Sequence, residues 1–324
     1  MAQELSVISA ERTTVALSVV ICAYTTERWE RLRHAVESVL TGSGAPVDLI
    51  VVIDHCDELL DSATHLYGAD RRVRVIPNTE KQGLSGARNT GVRAARGDVV
   101  AFLDDDAVAQ PGWADDLGDH YRDATVAGVG GYASPVWPST RPAWLPAEFD
   151  WVVGCSYIGQ PKRLAQVRNP IGCNMSLRRS TFMHVGGFRS EVGRVGATPV
   201  GCEETELFIR IRTDDAANQV LFDPNIRVEH HVSDDRTTLR YFIRRCYHEG
   251  LSKAVVTELV GTTDGLSSER SYVTRVLPMA VVRELMSMKP DGLARAAAIC
   301  LGLAATTAGF ARAKVSRLLS KSAP

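Results

Sequence analysis

Seven cysteines are spread through the 324 residues, and no two of them form a CxxC pair. Cys22, Cys56, Cys155, Cys173, Cys202, Cys246 and Cys300 are scattered and odd in number, which argues against zinc or a disulfide framework and predicts a reducing compartment. Internal repeats are lacking as well. The opening stretch, MAQELSVISAERTTVA, has no basic segment followed by an apolar one, so no signal peptide is expected and the working site should face the cytoplasm. The run Ala296 to Ala311 carries no charge but is Ala- and Gly-rich, and it falls short of the roughly 20 residues that normally span a bilayer. A packed or interfacial helix is expected there, with Lys314, Arg317 and Lys321 available to lipid head groups.

The bulk composition is ordinary for a soluble domain: 45% hydrophobic, 23% charged, net charge −1. This length allows one large α/β core with a smaller appendage. Charge is unevenly placed. Residues 236–324 hold 14 Lys/Arg against 6 Asp/Glu, so a basic tail follows an acidic remainder. That balance favours anionic lipid or phosphate over nucleic acid as a partner.

The stretch GDVVAFLDDDAVAQ, Gly97 to Gln110, organises the rest. Val99 to Leu103 is an apolar run ending in Asp104, Asp105 and Asp106, the pattern of a buried strand that delivers carboxylates to its C-terminal edge. Open α/β sheets place ligands at that edge. Alternate side chains of an extended chain share a face, so Asp104 and Asp106 can converge on a hard cation such as Mg²⁺ or Mn²⁺. A solvated acidic turn is the plain alternative.

Other segments supply the frame. Val15–Ala23, Asp48–Ile53 and Val73–Ile76 read as strands, with a helix after Thr26, its proposed cap, and Asp54 at the end of the second strand. Gly83 and Gly86 lead into a helix bearing Arg88; a flexible turn explains them better than a phosphate loop, since GxxG lacks the dinucleotide spacing. A short helix near 113–121 and a strand near 126–131 complete an alternation that predicts a mostly parallel sheet. Residues 133–168, rich in proline and tryptophan, read as an ordered excursion over the sheet that could shape an acceptor pocket. A strand resumes near 172–177, a glycine-bearing loop at 189–202 is expected to be mobile, and a helix begins at Glu203-Glu204. Short strands at 220–223 and 226–228 lead to His230 and His231, which project to opposite sides of an extended chain. From Arg236 the chain reads as basic helices with breaks near 261–268 and at Pro290. The expected organisation is a tail, 1–14, an α/β domain, 15–235, and a helical region, 236–324.

The ordered set SVVICAY, VVIDHCDE, NTEKQGLSGARNTGVRAARGD, VAFLDDDA, GCNMSLRR, GGF, EETELFIRIR and VEHH resembles the family 2 glycosyltransferases, inverting enzymes of the GT-A nucleotide-sugar fold. The likeness covers about residues 15–232, and the following tail is similar to a nonprocessive actinobacterial branch. It implies a Rossmann-like, mostly parallel sheet flanked by helices, with a helical C-terminal extension. It further implies that Asp54 bonds the nucleotide base, that Arg88 lies near the nucleotide, and that Asp104 holds the uridine or ribose side. Ala23, Tyr24 and Asp105 complete the donor side, Asp106 and His230 fall to the divalent metal and diphosphate, and Asn174 and Gly187 fall to the acceptor side. The family's base, usually the Asp of an ED motif, becomes Glu204 here, with Glu203 the other candidate. Arg236 and Lys253 are diphosphate candidates by charge and position. The QxxRW element of processive synthases is absent after His231, which disfavours polymerisation.

The expected function is transfer of one sugar from a nucleoside-diphosphate sugar, UDP-linked by preference, to a hydroxyl of a sugar or lipid-linked acceptor. Cell-envelope glycan or glycolipid assembly, on the cytoplasmic side and in peripheral contact with the membrane, is the expected setting. Two alternatives are a sugar nucleotidyltransferase, for which no basic glycine-rich loop near the first strand speaks, and a donor-binding scaffold that has lost its base.

Overall fold

β-Branched and apolar residues fill the first strands on both faces, as in a sheet covered by helices on each side. In the computed structural model, which describes residues 15–43, 46, 48–189, 202–260 and 267–321, β1 (Leu17–Ala23) pairs in parallel with β2 (Asp48–Ile53) and β4 (Val99–Asp104). β2 pairs in parallel with β3 (Val73–Pro77). Alternation then sorts the side chains. Val19, Ile21, Leu49 and Val51 pack with Leu32 and Val36 of α1 (Trp29–Thr41), while Val20, Ile50, Val52 and Phe102 meet Ala87 and Val92 of α3 (Leu84–Ala94) and Phe208 of α6 (Glu203–Asp214).

Beyond β4 the sheet changes character. β8 (Asn174–Arg178), from residues after the excursion, inserts antiparallel between β4 and β6 (Val126–Val136). β9 (Gln219–His231) runs parallel to β6, and β5 (Ala107–Ala109) and β7 (Ala165–Gln166) pair antiparallel with β9. The order is β3-β2-β1-β4-β8-β6-β9-β5, with β7 to one side, so the sheet is mixed: parallel through its first four strands and again between β6 and β9, antiparallel elsewhere.

Several expectations need correction. Thr26 does not cap α1: it opens a 3₁₀ turn, Thr26–Arg28, capped by Thr25, whose Oγ1 accepts from Glu27 N at 3.3 Å, and α1 follows with Arg28 at its N-cap and no side-chain cap among the described residues. Helix α2 (Asp57–Tyr67) and strand β5 were not anticipated. The strand expected at 126–131 continues to Val136. The two short strands before His230 are one: Pro224 sits where the pairing shifts, Gly131 opposing Asp223 and Tyr132 opposing Arg227, so the ladder passes around the missing N–H. The tail 1–14, residues 190–201 of the loop expected to be mobile, and residues 261–266 of the expected break lie outside the described residues.

The C-terminal helices do not stand apart. α7 (Leu239–Val260), α9 (Leu277–Met286) and α10 (Pro290–Lys321) share a core with the aromatic excursion, and α8 (Ser267–Ser271) lies between α7 and α9. Phe149 lies 5.3 Å from Phe242 and Trp144 lies 5.5 Å from it, ring to ring. α7 and α10 cross closely at glycines: a Cβ on Gly250 would come within 2.0 Å of Thr306 O, and one on Gly309 within 2.0 Å of Tyr247 O. One stretch of α10, Pro290–Ser316, is long and apolar enough to cross a membrane by length and composition.

Candidate active site

The C-terminal ends of β1, β2 and β4 deliver Ala23-Tyr24, Asp54 and Asp104 to one edge, because Cys22 is in register with Asp104 and Ala23 with Ile53. A cavity of about 1920 Å³ opens there. It exceeds the roughly 300–1,000 Å³ of an ordinary small-molecule site and has room for two substrates.

The glycine-rich turn proves structural. Gly83, at φ +131°, sends its N–H to Asp54 Oδ2 at 2.9 Å, and a Cβ on Gly86 would come within 2.2 Å of Lys81 O. Asn78 Nδ2 donates to Asp54 Oδ1 at 2.7 Å. The carboxylate is thereby fixed in direction, nearly buried, with its rim on the cavity. Tyr24, more exposed, lies under the Arg28 guanidinium, 5.5 Å from its ring centre.

Antiparallel pairing of β5 with β9 sets Ala107 opposite His230, and His231 N donates to Asp106 O at 2.8 Å. His230 Nε2 then lies 3.2 Å from Asp106 Oδ1, with Cys155 Sγ 3.6 Å from its other nitrogen. Gly154, at φ +87°, passes beneath the ring, where a Cβ would be 3.0 Å from Cε1. Burial opposes both charges, yet each group holds the other: Asp106 stays far below the usual carboxylate range, and His230 is raised to about 10. Asp105 has the reverse fate. Burial and the Asp106 charge push it up to about 7, with Arg28 pulling against them.

One ligand atom each from Asp104, Asp106 and His230 lies within 4.8 Å of the others. Atoms held about 2.1 Å from one ion are separated by roughly 3–4 Å, so a small closure fits them to Mn²⁺ or Mg²⁺. Two carboxylates and an imidazole form a donor set suited to such a cation. Asp105 turns aside, its Oδ1 accepting from Arg28 Nη1 at 2.9 Å.

Arg88 is a buried bridge. Nη1 donates to Glu203 Oε1 at 3.0 Å, and Nη2 to Asp104 Oδ1 at 3.3 Å and Gly172 O at 3.1 Å. It ties the carboxylate edge of β4 to the start of α6. Glu203 is thereby buried with Oε1 held by Arg88, and its Oε2 makes no hydrogen bond among the described residues. Glu204, next along the helix, is half-buried and lines the cavity; burial and the adjacent Glu203 raise its carboxyl to about 7. The helix start is shaped by Cys202 at φ +79°.

Three sequence expectations fail on geometry. Asn174 is fully buried, donating to Tyr132 O and Ile226 O and accepting from Trp113 Nε1 at 2.9 Å, so it locks strands together and cannot reach an acceptor. Gly187, at φ +74°, packs on Phe182 and offers its carbonyl to Arg210. Lys253 is neutralised by Glu249 and Glu269, which removes it as a free diphosphate cation. Arg236 does face the cavity, near enough for its charge to lower Asp106. Arg28 and Arg31, which line the same wall, carried no sequence signal beyond their charge.

Residues 18–186 match the profile described as Glycosyl transferase family 2. The chain is 34% identical over 276 residues to the glucosyl-dolichyl phosphate glucuronosyltransferase of Haloferax volcanii, covering 85% of this chain and 87% of that protein. It is 28% identical to the pre-mycofactocin glycosyltransferase of Mycobacterium tuberculosis, over 63% of this chain and 41% of that one. Among solved structures, a mannosyltransferase from Pyrobaculum calidifontis in complex with GDP-Man and Mn²⁺ superposes with a TM-score of 0.58 at 18% identity, covering 96% of this chain and 89% of the other. GalNAc-T7 with UDP, GalNAc and Mn²⁺ gives 0.53 at 17% identity, over 86% of this chain and 59% of the other. These two likenesses support the GT-A fold.

Proposed function

The chain belongs to glycosyl transferase family 2 and is a glycosyltransferase acting on nucleotide sugars, and on that premise we propose that it moves one sugar, with inversion, from a nucleoside-diphosphate sugar to a hydroxyl acceptor. The observation that carries this reading is the placement of Glu204 and the Asp104–Asp106–His230 cluster on one cavity large enough for both substrates. Glu204 takes the proton of the acceptor hydroxyl. That oxygen attacks the anomeric carbon from the face opposite the diphosphate, whose bond to the sugar breaks with the electron pair leaving on the diphosphate oxygen. Arg28, Arg31 and Arg236 lie where negative charge accumulates on the leaving group. Asp104, Asp106 and His230 would hold a divalent cation, which would supply charge neutralisation to the same leaving group.

Asp54 supports recognition of the base, since its fixed carboxylate can accept from an imide N–H. UDP is the favoured nucleotide. The acceptor proposed is a lipid-linked sugar, in keeping with the name of the Haloferax relative, and the setting is cell-envelope glycan or glycolipid assembly on the cytoplasmic face of the membrane.

Calorimetric titration of UDP, GDP and dTDP, each with Mn²⁺ and again with EDTA, tests the reading. The expected result is metal-dependent binding of UDP that disappears in Asp106→Ala. A folded protein that binds none of the three would overturn it. Donor binding without turnover across many acceptors would move the scaffold alternative forward.

A further inference from the structure

Helix α9 has two apolar faces. Leu277 and Ala280 are buried in the core shared with Phe149 and Phe242, and Val276 and Leu277 line the cavity. Outward, Met279, Val282 and Met286 form a stripe at helical spacing, 66, 55 and 77% exposed. The corner that follows adds Met288 and the first turn of α10 adds Leu293, 92 and 65% exposed. Soluble surfaces scatter such residues singly; a contiguous patch marks a contact.

The corner is built to hold this shape. Glu284 accepts from Arg283 at 2.6 Å and Arg295 at 2.7 Å, and Ser287 Oγ donates to Glu284 O at 2.6 Å. Met288 takes a left-handed φ of 52°, which turns the chain sharply into α10. Charge around the patch is net positive: Arg275, Arg283, Lys289 and Arg295 stand against Glu284 and Asp291. Glu284 is taken up by Arg283 and Arg295, which leaves Arg275 and Lys289 exposed beside the stripe with Asp291 as the one exposed acid between Arg275 and Arg295. An apolar edge rimmed with cations complements an anionic bilayer surface, whereas a second copy would bring like charge to like.

We propose that the Met279–Leu293 corner inserts into the interface of an anionic membrane and docks the protein there, with α9 as the partition between lipid and cavity. The lipid-linked acceptor of the proposed function would then meet the cavity one helix width away, about 10 Å. The docking itself requires only the surface; its link to the acceptor rests on that functional reading.

Flotation of the full chain with vesicles of phosphatidylcholine, alone or mixed with phosphatidylglycerol, tests the proposal. Binding is expected to the mixed vesicles only and to weaken with salt. Met286→Ser combined with Met288→Ser and Leu293→Ser should cut it about tenfold or more. Arg275→Glu with Lys289→Glu should do the same through charge. These residues are exposed, and thermal melts check that the variants fold. No flotation with either vesicle, or flotation indifferent to both variants, overturns the proposal; so does lipid-free self-association abolished by the triple variant, which would make the corner an interface between copies. Metal-dependent UDP binding is measured without lipid, so failure of docking and failure of the transferase reading are told apart.

Discussion

Arg28 Nη1 lies 3.2 Å from Asp106 Oδ2, while His230 Nε2 lies 3.2 Å from Oδ1, so both oxygens of this carboxylate have a cationic partner in the protein alone. Arg28 is a resident counter-ion. A divalent cation arriving at Asp106 must compete with it, whereas a diphosphate beside the same wall gives the guanidinium a second anion to turn toward.

Arg28→Gln is therefore expected to bind Mn²⁺ alone about tenfold more tightly than the unaltered protein. Adding inorganic pyrophosphate should help the unaltered protein more than the variant, and Arg28→Lys should resemble the former. The electron paramagnetic signal of free Mn²⁺ reads each binding curve. Equal affinities would deny Arg28 this role.

Glu204→Gln should leave donor affinity intact and lower transfer about 10²- to 10⁴-fold, because a general base acts after binding. With Glu204 raised to about 7, transfer should climb as pH passes from 6 to 8, approximately, while the carboxyl loses its proton. A near-normal rate in the variant would move the base to Glu203.

The same carboxyl makes a stability prediction. Its folded pKa is above the 4.5 ordinary for a glutamate, so the folded state holds the proton more tightly and loses stability as pH rises from about 4.5 through about 7. Glu204→Gln removes that loss. Its melting temperature should exceed that of the unaltered protein at pH 8 and approach it at pH 4.5.

Asn174→Ala leaves two backbone carbonyls and the Trp113 indole N–H without their partner inside the sheet. A loss of about 2–3 kcal/mol is expected by denaturant titration, with acceptor KM unchanged. A shifted KM in a protein of undiminished stability would restore Asn174 to the acceptor side.

A chain ending at residue 235 should aggregate. Leu145, Phe149 and Val152 belong to the first part of the chain, but Phe242, Cys246, Leu277 and Ile299 bury them. Soluble, cooperatively melting protein from that truncation would show that the α/β part folds alone.

The legible parts were those whose signal is local. Apolar runs gave β1, β2 and β4, the last two with the aspartates at their tips, and the eight ordered segments supplied the family. What pairs at a distance was not legible. Nothing in Ala107–Ala109 announces a strand, yet its register with β9 is what carries His230 to Asp106. Asn174 was placed by the resemblance and Lys253 by charge and position; what occupies them, Trp113 for the one and Glu249 with Glu269 for the other, is set by folding. Pro224 suggested a break, and the sheet absorbed it as a bulge.

Leu277 faces the cavity and Met279, two residues on, faces out. With lipid on that outer side, the search for the acceptor becomes two-dimensional. Turnover would then follow the acceptor's mole fraction in the bilayer and stay constant when vesicles and acceptor are diluted together, so long as the protein remains docked.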